Sequence, residues 1–157
     1  MNQIEQLLEQ YNQTMTGDAW YGDPVWRILD GIDARCAVAS PFGGHTIWQL
    51  VMHMLFWEDV ATRRLTGPVS PDLAGNFPEM PVLDEQSWQG TLDQFRASNE
   101  RFRVALSLAN PVRLDENTPG GQRSFRYEIV GVIEHHIYHI GQISLLKKAC
   151  LTQGNVR

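Results

Sequence analysis

Four long stretches of the chain carry apolar residues at helical spacing, and stretches rich in proline and glycine separate them. The four stretches cover residues 2–15, 45–65, 84–109 and 124–150. Within each, apolar residues recur every three or four positions, which places them on one face of an α-helix. No stretch alternates apolar and polar residues as a half-buried strand does. The sequence therefore predicts an all-α fold, a four-helix bundle whose helices bury these faces against one another.

The breaks between these stretches predict how the helices are connected. Two short helical pieces, 24–30 and 33–39, precede the second long helix, and residues 110–123 form a loop before the fourth. Residues 66–82 hold four of the eight prolines, and this connection is long for a hairpin between adjacent antiparallel helices. It could instead cross the length of the bundle, which would make the second and third helices parallel. The length of 157 residues fits a single domain, 1–157.

The charge balance and the distribution of apolar residues exclude several classes of protein. The chain has 13 Lys and Arg against 18 Asp and Glu, a formal net charge of −5, whereas nucleic-acid binding depends on clustered positive charge. Arginines do concentrate between residues 96 and 126, but acidic residues are interleaved with them, which is typical of a solvated surface. Neither a secretory signal nor a transmembrane stretch is evident. We expect a cytoplasmic protein that binds neither nucleic acid nor a membrane.

All five histidines lie in the second and fourth long helices. His135 and His139 are four residues apart, so they lie about 40° apart on one helix face, a spacing that presents two imidazoles to one metal ion. His53 lies in mid-helix among apolar residues, where an unpaired imidazole is costly to bury. His136 lies about 100° around the helix from His135 and cannot easily join the same ion. A buried histidine is often an ordinary hydrogen-bonded core residue, but the three together favour one divalent metal ion held by His53, His135 and His139.

Further polar and aromatic residues are candidates for a site around this ion. Glu128 and Gln142 project within about 40° of the direction of the histidine pair, which favours hydrogen bonds to the ligands or contacts with a substrate. An exposed position in the first turn of the helix would explain Glu128 equally well, and core packing would explain Trp57. The residues that we expect in the substrate pocket or beside the metal ligands are Trp20, Trp57, Glu128, Tyr138 and Gln142.

The segments GGHTIWQLVMHMLFWEDVATRRLTG and EIVGVIEHHIYHIGQISLLKK resemble the second and fourth helices of DinB/YfiT-like proteins. The most specific element is His135-x-x-Tyr138-His139-x-Gly141-Gln142-Ile143. The resemblance covers nearly the whole chain and includes the Trp20-Tyr21-Gly22 loop and Trp88. His136 departs from the commoner pattern, in which an acidic or other polar residue often follows the first histidine.

The resemblance implies a bundle of up-down-down-up topology, with 66–82 as the long crossover between helices 2 and 3. It also implies a divalent metal on His53, His135 and His139, and a homodimer. Family members with an assigned activity are metal-dependent transferases that use small thiols such as bacillithiol, mycothiol or glutathione, and some act as isomerases.

Three neutral imidazoles do not compensate the charge of a divalent ion, and they leave at least one of its coordination positions open. Such a site suits an incoming thiolate or hydroxide. Zinc, nickel and iron all suit such ligands, as does copper. The leading hypothesis is a transferase that conjugates a small-molecule thiol to an electrophile, without a nucleophilic role for Cys36 or Cys150. The alternatives are a metal-dependent hydrolase and a non-catalytic stress-response protein that stores or senses a metal.

The fourth helix carries a second apolar face opposite the histidines, formed by Ile129, Ile133, Ile137 and Ile140. In the second helix, Trp48, Met52 and Leu55 likewise lie roughly opposite His53. A bundle helix needs only one apolar face, so something must cover the other. Either a second copy of the chain or the segments 66–82 and 24–39 could do so; we predict a homodimer.

Overall fold

A computed structural model of the chain describes residues 1–67, 76–80, 82–119 and 122–154. In these ranges it contains no β-strand, and the all-helical fold class is confirmed. No helix of the described ranges is long and apolar enough to cross a membrane. The six α-helices are α1 (Gln3–Met15), α2 (Val25–Leu29), α3 (Ala34–Ala37), α4 (Ile47–Thr66), α5 (Glu85–Ser107) and α6 (Phe125–Gly154).

Side-chain caps fix where the long helices begin. Thr46 and Gln49 form a reciprocal capping box at the start of α4, and Asn2 does the same with Glu5 at the start of α1. Asp84 caps α5, since its carboxylate accepts a 2.7 Å hydrogen bond from the Ser87 amide. Such caps satisfy backbone amides that have no partner within the helix. The predicted boundaries agree within a few residues, although α6 continues to Gly154.

The four longer helices pack around one hydrophobic core, in which α4 and α1 each contact both α5 and α6. Two fully buried tryptophans anchor α4 to α5, with ring centroids 5.3 Å apart. The Trp48 indole donates to Thr91 Oγ1 at 2.9 Å, and the Trp88 indole donates to the Ile32 carbonyl at 2.7 Å. Their polar atoms are therefore satisfied, and most of each ring contributes apolar burial.

The second apolar face of α6 is largely covered by the same chain. Ile129, Ile133 and Ile140 are buried in the core, and Ile137 is half-buried. Helices α1 and α2 both pack against α6, and Trp48 on α4 has no exposed surface. This face therefore does not require a second copy of the chain. The homodimer stays a prediction.

Candidate metal centre

The three histidines that the sequence indicates as metal ligands lie together between α4 and α6. His135 Nε2 lies 3.0 Å from His53 Nε2 and 3.0 Å from His139 Nε2. One ligand atom from each ring lies within 4.8 Å of the other two. His53 and His139 are buried and His135 is half-buried, so the cluster is largely shielded from solvent and His135 is its most accessible member.

Hydrogen bonds at the opposite ring nitrogens orient two of these histidines. His53 Nδ1 donates to the Asn76 carbonyl oxygen and His139 Nδ1 donates to Gln142 Oε1, both at 2.7 Å. Each ring then carries its proton on Nδ1 and directs the lone pair of Nε2 towards the cluster. His135 Nε2 faces both lone pairs and has at most one proton to offer. A shared cation would satisfy all three nitrogens, so the residues fit a metal ion.

The electrostatics of the cluster favour the neutral, metal-binding form of each ring. Burial lowers the pKa of His53 and of His139 below the usual histidine value. Burial, followed by the nearby His139, lowers the pKa of His135 to about 3. No carboxylate or thiolate belongs to the cluster among the described residues. Three neutral imidazoles form a donor set that suits zinc, nickel, iron or copper and that leaves a coordination position open.

Part of the connection between α4 and α5 covers the His53 side of the cluster. The Phe77 ring stacks between His53 and His45, with centroid distances of 4.2 and 4.0 Å. Besides its contact with His53, Asn76 accepts a hydrogen bond from the Trp57 indole on its side-chain oxygen at 2.6 Å. Sequence reasoning missed Asn76 and Phe77. The only signal was an aromatic residue within a proline-rich connection, most of which (68–75 and 81) lies outside the described residues.

A pocket of about 460 Å³ opens beside His53 and His135 and continues along the groove between α4 and α6. Trp57 and Glu128, both predicted, line it. Glu128 does not contact the histidines, because both of its oxygens lie 2.9 Å from Arg64 Nη1. The lining residues that sequence reasoning missed include Arg64, Arg123 and Tyr127.

The other predicted site residues have different surroundings. Gln142 hydrogen-bonds to His139, whereas Tyr138 lies on the exposed surface with its ring edge against His139, 5.0 Å between centroids. Trp20 is fully exposed and lines a separate pocket beside α1 and the Ile133 side of α6. That side of α6 points away from His135 and His139. Trp20 is therefore not part of the pocket beside the histidines, contrary to our expectation.

Behind the metal centre, a buried polar network links five helices. Glu58 is fully buried and accepts hydrogen bonds from Tyr11 Oη, His136 Nε2 and Asn99 Nδ2, each at 2.8 Å. The Trp26 indole donates to Asn99 Oδ1 at 3.0 Å. Burial and then the Glu58 carboxylate raise the pKa of the Tyr11 hydroxyl well above its usual value. His136 thus points into the core, where it helps to fix the rotation of α6, and it does not join the cluster of the other three histidines.

One comparison with known proteins identifies a family for this chain. The family model of the DinB superfamily matches residues 3–143, which include His53, His135 and His139. No curated protein and no solved structure gives a significant match. Because the family model covers far more than half of the chain, the chain belongs to the DinB superfamily.

Proposed function

We propose that this protein is a metal-dependent transferase that conjugates a small-molecule thiol to an electrophilic small molecule. The observation that carries the proposal is the convergence of His53, His135 and His139 beside an open pocket that His53 and His135 line. These residues would hold one divalent ion, with zinc, nickel and iron as the candidates. When bound, the ion lowers the pKa of a thiol at the open position, so that a thiolate forms at neutral pH.

The pocket residues would bring the two substrates together. Trp57 and Val132 provide apolar walls beside His53 and His135. In the reaction, the thiol loses its proton to solvent water and its sulfur forms a bond to an electrophilic carbon. The leaving group departs from that carbon with its electron pair. Holding both reactants in one pocket contributes by proximity and orientation.

The state of Cys36 supports direct transfer rather than a covalent enzyme intermediate. Burial, together with the neighbouring Cys150 thiol, raises the pKa of Cys36 to about 12. A thiol with such a pKa remains protonated at neutral pH and is a poor nucleophile. Neither cysteine lines the pocket beside the histidines.

The arrangement of charges in the pocket favours thiol transfer over the alternative function, metal-dependent hydrolysis. Glu128 is the one carboxylate among the described pocket-lining residues, and its contact with Arg64 occupies both oxygens. A free thiol has a pKa of about 8.5, whereas water has a pKa near 15.7. The thiol therefore needs much less help to lose its proton in a site without a free base. A metal-storage role predicts a closed site, which the open pocket disfavours.

The contacts between helices support the up-down-down-up topology that we propose for the bundle. Trp48 contacts Thr91 and Glu58 contacts Asn99. The residue numbers of these pairs increase in the same direction along α4 and α5, as in parallel helices. Between α4 and α6, His53 contacts His135 and Arg64 contacts Glu128. The residue numbers increase along α4 while they decrease along α6, as in antiparallel helices.

We also propose a homodimer. Light scattering at micromolar concentration should give twice the chain mass of 17.9 kDa. A mass of one chain would exclude the dimer.

A metal-dependent conjugation assay tests the proposed activity. The metal-free and the zinc-, nickel- and iron-loaded proteins are incubated with bacillithiol, mycothiol or glutathione and a panel of alkylating and arylating electrophiles, and mass spectrometry detects the conjugate. We expect conjugation only with the loaded protein and no loss in the Cys36→Ala/Cys150→Ala double variant. Metal-dependent ester or amide cleavage without any conjugate would instead favour the hydrolase.

A further inference from the structure

We infer that the pocket beside the metal centre binds an anionic group of its substrate, a carboxylate or a group of similar charge, through the guanidinium of Arg123. This substrate would carry its anionic group at one end and a thiol that binds the metal at the other; the thiol end rests on the proposed function. The substrate class is an elongated molecule with a metal-binding atom at one end and an anion at the other.

Arg123 is the charged residue of the pocket lining that has no oppositely charged partner among the described residues. Three charged residues line the pocket, namely Arg64, Arg123 and Glu128. Arg64 and Glu128 neutralise each other, and their side chains retain only 21% and 11% of their exposure. Among the described residues, no carboxylate pairs with Arg123. The pocket therefore has an excess positive charge at the end away from the histidines, and this charge favours an anionic ligand.

The position of Arg123 is held by contacts on two sides. Its guanidinium carbon lies 4.7 Å from the centroid of the Tyr127 ring, which also lines the pocket. Its carbonyl oxygen accepts a 3.0 Å hydrogen bond from the Thr118 amide. A guanidinium stacked on an aromatic face keeps its N–H edges free, and these edges match the geometry of a carboxylate. The stacking thus reduces the entropy lost when an anion binds.

The geometry of α6 sets the length of the ligand. Tyr127 lies eight residues before His135 on the same helix, so the two ends of the pocket are about 12 Å apart along the helix axis. Small residues line the middle of this path, with Ala61 on α4 and Gly131 on α6. A Cβ at Gly131 would meet no atom within 4 Å, so the path between the ends is open. Acetate-sized ions are too short to contact both ends.

Thiol binding to the cobalt(II)-loaded protein tests this inference without any turnover. The probes are ω-mercapto carboxylates of increasing length, from mercaptoacetate to mercaptoundecanoate, and ω-mercapto alcohols of matched length. The thiolate-to-cobalt absorption band reports binding. We expect the long carboxylates to bind about fivefold to tenfold more tightly than the matched alcohols, and the short ones to show no preference.

Arg123→Gln should abolish the preference for the carboxylate and leave the affinity for the alcohols unchanged. Arg113→Gln is the matched control, because Arg113 also lies over an aromatic ring, Phe125, at 4.9 Å. Arg113 pairs with Glu116 and lies outside the pocket, so this variant should retain the preference. Gly131→Leu should weaken binding of every long probe, because its side chain would fill the path. A preference that survives in Arg123→Gln, or no preference at any length, would overturn the inference.

A second measurement separates failure of this inference from failure of the proposed function. Isothermal titration of the zinc-loaded protein compares α,ω-dicarboxylates with monocarboxylates of equal length, and no thiol is involved. If thiols give no cobalt absorption band, thiol transfer is contradicted, and the dicarboxylates still test the anion site. Tighter binding of the dicarboxylate that Arg123→Gln removes supports the site, and equal binding overturns it.

Discussion

Two adjacent histidines of α6 have opposite surroundings. His135 is half-buried and its Nε2 faces two other imidazole nitrogens at 3.0 Å. His136 has no exposed surface, and its Nε2 lies 2.8 Å from the Glu58 carboxylate. The rotation of about 100° per residue in an α-helix directs the two side chains to different sides of the bundle. Residue type alone therefore does not separate a metal ligand from a structural histidine; the group that each ring faces does.

The strongest test of this comparison is the removal of each ring in turn. His135→Ala should abolish stoichiometric metal retention while most of the helical circular dichroism signal remains, because the cluster loses the ring that both other histidines face. His136→Gln keeps a hydrogen-bonding group near Glu58 and should retain the metal. Metal content per folded chain, measured by mass spectrometry after dialysis, distinguishes the two variants. Equal retention in both would contradict the assignment.

On the structural side, Glu58→Ala should strongly destabilise the fold. It leaves the Tyr11, Asn99 and His136 groups without their shared acceptor in a buried site. Breaking such a network by removing one partner costs about 3 kcal/mol or more, to be measured by urea denaturation. The control is Glu134→Ala, which removes an exposed carboxylate next to His135 and should change the free energy of unfolding little. A loss of metal without a loss of stability in Glu58→Ala would place Glu58 in the metal centre instead.

A smaller effect is expected at the hydrogen bond that orients His139. Gln142→Leu preserves the approximate size of the side chain but removes the acceptor of the His139 Nδ1 proton. Loss of such a contact weakens metal binding about 10- to 100-fold, which competition with a chromophoric chelator would measure. Gln89→Leu, on the exposed surface of α5, should leave the affinity unchanged. Unchanged affinity in Gln142→Leu would show that other contacts fix the His139 ring.

The two sides of α6 also differ in what the sequence could predict. The four-residue spacing of His135 and His139 fixes a common face, and the apolar surroundings of His53 single it out, so these three residues could be identified without a structure. The partner of His136 could not, because the register between α4 and α6 decides that Glu58 lies opposite it. Asn76 and Phe77 follow no periodic pattern, since they belong to a connection rather than a helix. The loop that holds Trp20 shows the same limit, because nothing in its sequence specifies which face of α6 it approaches.

The last prediction concerns the stability of the metal-free protein at acidic pH. Burial lowers the pKa of His135 to about 3 in the folded state, whereas a histidine in the unfolded chain has a pKa near 6.5. Between these values the unfolded chain binds a proton that the folded protein does not, so the contribution of His135 destabilises the fold as the pH falls from about 6.5 towards 3. Above this range both states are neutral at His135 and the contribution vanishes. Urea denaturation of the metal-free protein and of metal-free His135→Ala across this range compares the chain with and without this titrating group. The free energy of unfolding of the wild-type chain should fall more steeply with acid than that of the variant. Parallel profiles would mean that His135 titrates in the folded protein as an ordinary exposed histidine, which is incompatible with its half-buried position against two neutral rings.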